Sequence, residues 1–159
     1  MIGLLQRVTQ AQVAIGEQLV GQIGPGLLVL IGIVKGDDTA AAQRLIQRIL
    51  NYRVFPDQEG RMNRSLRDAL GGLLLVPQFT LAADTEQGNR PGFSQAAPPP
   101  HAAALYNYVV EHARGLYGPV ATGRFGANMQ VSLTNDGPVT FWLESGRQSV
   151  RDVPDSENV

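Results

Sequence analysis

The sequence predicts a single α+β domain, built from a mixed or antiparallel, barrel-like β-sheet with two main helices. Three observations lead there. Eighteen glycines and ten prolines in 159 residues cut the chain into short segments, which suits strands and turns better than a helical bundle. Two stretches, one after Asp38 and one after Pro100, carry apolar residues at helical spacing. The other apolar runs come in clusters, without strict alternation of strand and helix, and this order favours α+β over a doubly wound sheet.

Residues 2–8 and 11–15 read as two short strands, followed by a turn at Gly16-Glu17 and a third strand over 19–23. Gly24-Pro25-Gly26 breaks the chain. Leu27 to Val34 is apolar on both faces, the pattern of a central, fully buried strand. Asp37, Asp38 and Thr39 suit a helix start, and Ala42, Leu45, Ile46, Ile49 and Leu50 give the first helix its apolar stripe. Tyr52 to Phe55 reads as a short strand stopped by Pro56, and residues 57–72 as a loop. Leu73 to Leu81 reads as a second buried strand with Pro77 inside it, and 82–100 as a long irregular stretch. The second helix is expected from His101, opened by Pro100, with Ala102, Leu105, Tyr106, Val109, Val110 and Ala113 inward. Met129 to Leu133 and Val139 to Leu143 read as the last two strands, joined through residues 134–138. From Ser145 onward the chain is polar and reads as a frayed tail, which sets a domain over 1–145 and a tail over 146–159.

Composition narrows the function classes. Without cysteine there is no disulfide framework and no thiolate metal site, which fits a reducing cytoplasm. The first residues lack the pattern of a signal peptide, and the apolar run over 27–34 is too short to span a bilayer. A net charge of −1 argues against gripping long nucleic acid by counterion release alone. Charge is uneven, however: six arginines against Asp57 and Glu59 give 6 − 2 = +4 over residues 44–67. That cluster is either a solvated surface or a small phosphate-facing patch headed by Arg44 and Arg48.

Familiar catalytic signatures are missing. His101 and His112 are eleven residues apart on one predicted helix, too far to share a metal ion, and read as exposed helix residues. No nucleophile elbow, phosphate loop or zinc motif is present. Two segments break local rules instead. In Pro77-Gln78-Phe79-Thr80-Leu81 a proline interrupts a strand, leaving either an edge strand with Gln78 and Thr80 facing water or a strand end that lines a pocket. In Asn135-Asp136-Gly137-Pro138 the residues suit a plain hairpin turn, yet a Gly-Pro bond is also one of the few that takes the cis form at low cost.

Taken together, these two segments resemble the D-aminoacyl-tRNA deacylase family. PQFTLAAD at 77–84 is similar to the family's SQFTL motif, and NDGPVT at 135–140 matches its NxGPVT motif. QRV at 6–8, GLLVLIGI at 26–33, MN at 62–63, RPGF at 90–93 and TGRFGANMQVSL at 122–133 agree in order and spacing. The likeness covers roughly residues 1–145.

The resemblance implies a homodimer with active sites at the interface, acting on the ester between a D-amino acid, or glycine, and the terminal adenosine of tRNA. It implies that Gly137-Pro138 is cis and enters the partner subunit's pocket, where its carbonyls occupy the space an L side chain would need. It implies catalysis by positioning and amide donors, assisted by the tRNA 2′-hydroxyl. The backbone of Phe79 and Thr80 would face the substrate carbonyl, and Gln78 would hold the pocket. The Thr80 hydroxyl is the alternative nucleophile or relay, with no histidine placed to activate it. The expected partner is the aminoacylated 3′ end of tRNA, with neither DNA nor membrane, and no cofactor or metal is expected. Two positions depart from the family pattern: Pro77 stands where serine is usual, and Gly92 replaces the serine of RPSF. Pro77 keeps open a second reading, a non-catalytic module of the same fold that binds tRNA ends or D-amino acids.

Overall fold

The computed structural model describes residues 1–146. Its element order is β1 (Ile2–Ile15), β2 (Gln18–Ile23), β3 (Gly26–Gly32), α1 (Thr39–Asn51), β4 (Phe55–Pro56), β5 (Met62–Arg64), α2 (Leu66–Ala69), β6 (Gly72–Pro77), α3 (Pro99–Leu116), β7 (Val120–Thr122) and β8 (Gln130–Glu144). A single 3-10 turn at Phe79–Ala82 follows β6.

Six strands form one mixed sheet in the order β2-β1-β3-β6-β7, with β8 also paired to β1. The β3/β6 and β6/β7 pairs are parallel, while β1 runs antiparallel to β2, β3 and β8. The two ends of the order, β2 and β7, nearly meet. A Cβ at Gly21 would stand 2.6 Å from the Thr122 carbonyl oxygen, so only glycine lets these backbones approach. The sheet is thereby a nearly closed barrel.

Alternation along the strands makes two cores. Leu27, Val29 and Ile31 of β3 and Leu73 and Leu75 of β6 face α1 and α3, against Leu45, Ile49, Val109 and Ala113. Leu28 of β3 and Leu74 and Val76 of β6 face the barrel interior with Val8 and Val13. A strand buried on both sides must be apolar throughout, which is why both runs stand out in the sequence.

Several expected boundaries move. Residues 2–15 form one continuous strand, because β1 must pair along its whole length with β8. The expected strand at 52–55 shrinks to Phe55–Pro56, paired with Met62–Arg64. The loop at 57–72 also contains α2, closed by a capping box in which the Ser65 hydroxyl accepts from Asp68 N and Asp68 reaches back to Ser65 N. The second helix begins at Pro99 rather than His101, since prolines need no N–H partner in a first turn. The two final strands are one, β8, continuous through NDGPVT. The expectation of fraying fails at Ser145: it is 5% exposed, its N–H donates to Met1 O (2.9 Å) and its hydroxyl to Ala41 O (2.7 Å). The rest of the expected tail, 147–159, lies outside the described residues.

Candidate active site

Parallel strands β3 and β6 end side by side, Ile31 opposite Pro77. Pro77 lacks an N–H, so β6 stops there rather than running on to Leu81 as the apolar pattern suggests. The next amide, Gln78 N, donates to Ile31 O (2.8 Å), and the chain then turns tightly, with Leu81 N bonded to Gln78 O (3.3 Å) and Ala83 N to Thr80 O (3.1 Å). Among the described residues the N–H groups of Phe79 and Thr80 have no backbone acceptor. Two amide donors therefore stand unpaired at the carboxyl end of a parallel strand, the edge where open α/β sheets bind ligands.

A cavity of about 790 Å³ opens beside them. Pro77, Gln78 and Phe79 line it from the strand end, Phe93, Ala97 and Pro98 from the irregular stretch, and Phe125, Met129 and Val131 from the approach to β8. Val76, Met129 and Val131 also belong to the barrel interior, so the cavity is the open mouth of the barrel. Phe79 and Phe93 meet at 5.0 Å between ring centroids with a 51° tilt. They are nevertheless 58% and 40% exposed, which leaves their outer faces available to a flat or apolar ligand. The irregular stretch is tied down by paired bonds between Asp84 and Gly92 (2.7 and 2.8 Å). On the other side Gly123 N donates to Leu75 O (2.8 Å), and the buried Tyr106 hydroxyl donates to the same carbonyl (2.9 Å).

The expected site residues divide into three groups. Gln78 and Phe79 line the cavity. Thr80 is exposed and its side chain does not, its hydroxyl accepting instead from Gln78 Nε2. Gly137 and Pro138 are also exposed and lie outside this cavity. Their peptide bond is cis, and the plain hairpin turn is not formed. Instead a wide bulge interrupts β8: Asn135 faces Val8 and Thr140 faces Gln6, so residues 136–139 stand opposite Arg7 alone. Gly137 adopts φ +146°, and a Cβ there would lie 2.5 Å from Val139 Cγ2. Asn135 clamps the bulge, accepting from Val139 N (2.6 Å) and donating to Val139 O (3.2 Å) and Thr140 Oγ1 (3.0 Å).

The arginine cluster is largely occupied within the chain. Arg48 Nη1 donates to Glu144 O (2.7 Å), Arg53 to Asn63, Arg64 to Asp68 O and Arg67 to Leu116 O. Arg44 is exposed and has no such bond among the described residues. Two carboxylates in this region, Asp57 and Asp68, are held below the ordinary range, Asp57 by hydrogen bonds from Asn63 and the Arg61 amide, and Asp68 by those from Ser65. His101 is exposed as expected, with Nε2 2.9 Å from Asp37 O. His112 is not: it is half-buried and stacks on Tyr108 at 5.8 Å, and its Nε2 is buried without a hydrogen-bond partner among the described residues.

Sequence comparison bears directly on this arrangement. The family model described as D-Tyr-tRNA(Tyr) deacylase matches residues 4–144. The chain belongs to that family. It is 60% identical over 145 residues to a D-aminoacyl-tRNA deacylase of Stutzerimonas stutzeri, covering 91% of this chain and all of that one. It is 57% identical to a D-aminoacyl-tRNA deacylase of Cronobacter sakazakii, covering 91% and 99%. Among solved structures it is similar to a protein named c-Myc DNA Unwinding Element Binding Protein, with a TM-score of 0.88, 41% identity, and 92% and 100% coverage. It shares the fold of a probable eukaryotic D-amino acid tRNA deacylase, with a TM-score of 0.76 at 20% identity and 90% and 98% coverage.

Several cavity residues carried no assigned site role in the sequence, Lys35, Phe93, Phe125 and Met129 among them. Phe93, Phe125 and Met129 lie in the recognisable RPGF and TGRFGANM stretches, and that was their available signal. Lys35 had none beyond following the end of a buried strand.

Proposed function

We propose that the protein hydrolyses the ester linking a D-amino acid, or glycine, to the terminal adenosine of tRNA, and spares L-aminoacyl-tRNA. The observation that carries this reading is the pair of unpaired amides at Phe79 and Thr80, beside an apolar cavity large enough for an aminoacyl-nucleoside. An aminoacyl ester is already activated, so oriented N–H donors that stabilise the developing oxyanion suit the task, with the substrate's own 2′-hydroxyl assisting. Gln78 positions the turn through Thr80 Oγ1. Family membership and the names of relatives at about 60% identity support the substrate class.

Chiral selection is assigned to the Gly137-Pro138 bulge. It is clamped by Asn135, exposed, and not part of its own chain's cavity, which suits use in the cavity of a second copy. There its carbonyls would leave room for hydrogen or a D side chain and none for an L side chain. The working unit is accordingly a homodimer of a deacylase domain spanning 1–145, followed by a tail, acting on the 3′ end of tRNA in the cytoplasm. No described helix is long and apolar enough to cross a membrane.

The test is direct. Purified protein is expected to release D-tyrosine from D-tyrosyl-tRNA and to leave L-tyrosyl-tRNA intact. Equal cleavage of both removes the selection mechanism, and binding without turnover selects the non-catalytic module.

A further inference from the structure

The cavity is mainly apolar, with Gln78 at the strand end and one charged side chain at the rim. Among the described residues, Lys35 is the only charged one that lines it. Its place is fixed by the backbone: Lys35 N donates to Gln95 O (2.9 Å), next to an isolated bridge between Val34 and Ala96. The loop after β3 is thus fastened to the same irregular stretch that supplies Phe93. Lys35 is exposed, and among the described residues it forms no ion pair. The backbone is thus fixed at the rim, and the exposed ammonium it carries is free to meet an anion on a ligand that enters the pocket.

The proposed substrate carries one at a fixed distance. The amino acid is esterified to the ribose of the terminal adenosine, and the same ribose bears, on its 5′ oxygen, the phosphodiester to the preceding nucleotide. Any site that holds the ester against Phe79 and Thr80 must therefore accommodate a phosphate within the span of one nucleoside. The other lining residues, aliphatic, aromatic and amide, offer it no countercharge. We propose that Lys35 binds this phosphodiester and sets how far the tRNA end enters the cavity. It is a positioning residue that reads the polynucleotide rather than the amino acid. The inference rests on the deacylase reading above.

Two substrates separate the cases: D-tyrosyl-tRNA, and D-tyrosyl-adenosine, which has the ester and no phosphate. For the wild type, Lys35→Gln and Lys35→Arg, the ratio of kcat/KM on the tRNA to that on the nucleoside is measured across a salt series. Lys35→Gln is expected to lower the ratio about tenfold, the scale of one charge-assisted hydrogen bond. The loss should fall in KM rather than kcat, and the salt slope should shallow by about 0.7, one phosphate contact on a single strand. Lys35→Arg is expected to restore the ratio. An unchanged ratio and slope in Lys35→Gln, or equal losses on both substrates, overturns the assignment. If the wild type cleaves neither substrate, the deacylase reading itself fails, a result distinguishable from both.

Discussion

Arg7 of β1 donates from Nε to the carbonyl of Asp136, at 3.0 Å, and so grips the one bulge in β8 that carries Gly137 and Pro138. Its Nη1 donates to Val54 O (2.7 Å), so one guanidinium ties the bulge to the segment just after α1. The planar fork holds its donors at a fixed spacing and direction that suit two separated carbonyls, whereas an ammonium offers its three donors from a single nitrogen. Arg7→Ala is expected to cost about 2 kcal/mol in urea unfolding and to lower deacylation more than tenfold. Arg7→Lys should recover little of either. Wild-type activity in Arg7→Ala would show that the bulge needs no anchor.

Thr80 supplies an amide to the site, while its hydroxyl is engaged by Gln78. Thr80→Ala keeps the amide and is expected to retain activity within about threefold, whereas loss of an oxyanion-type donor costs about 100–1000-fold. Abolished turnover in a folded Thr80→Ala protein would overturn the backbone mechanism and favour a chemical role for the hydroxyl, as nucleophile or relay.

Residues 44–67 present a mixed case. Arg48 holds the end of β8, whereas Arg44 is exposed with no bond to the chain among the described residues. Arg44→Ala is expected to weaken tRNA binding and flatten its salt dependence at unchanged stability, whereas Arg48→Ala should cost about 0.5–1 kcal/mol of stability. An unaltered salt slope in Arg44→Ala would return the cluster to a solvated surface.

Alkaline pH should expose the buried Tyr106. Burial raises its hydroxyl well above the ordinary value of 10.0, and the proton it keeps donates to Leu75 O. The unfolded chain ionises near 10 while the folded chain does not, so stability is fully present below that pH and is lost as pH rises above it. Tyr106→Phe is expected to be less stable at neutral pH by about 1–2 kcal/mol, through the lost hydrogen bond, and to decline less steeply above pH 10. A residual slope from Tyr117, also raised by burial, should persist. Parallel declines in the two proteins would refute the assignment.

The fold was legible where burial is two-sided or periodic. Leu27 to Ile31, Leu73 to Val76 and the stripes of α1 and α3 are hydrophobic because they are enclosed. The short elements β5, α2 and β7 left no such trace, being only three or four residues long, too few to show a period. The site was half legible. Pro77 marked an irregularity, but the apolar neighbours carried the expected strand on to Leu81 and concealed that the chain turns at once. NDGPVT looked like a hairpin because its residues suit turns, and only pairing with β1 on both sides makes it a bulge. Lys35 was silent because a lone lysine means nothing until a cavity lies beside it.

β1 is the strand with the most partners among the described residues: it precedes and pairs with β2, β3 and β8, and Ile2 lies opposite Glu144. A nascent chain can form the first two pairings early, yet one flank of β1 stays open until the last strand has emerged. Contacts so distant along the polymer slow the search for the native state, and an exposed strand edge during that wait invites association with other chains. The pairing that completes this barrel therefore waits for β8, and agents that shield nascent edges should matter most in that interval.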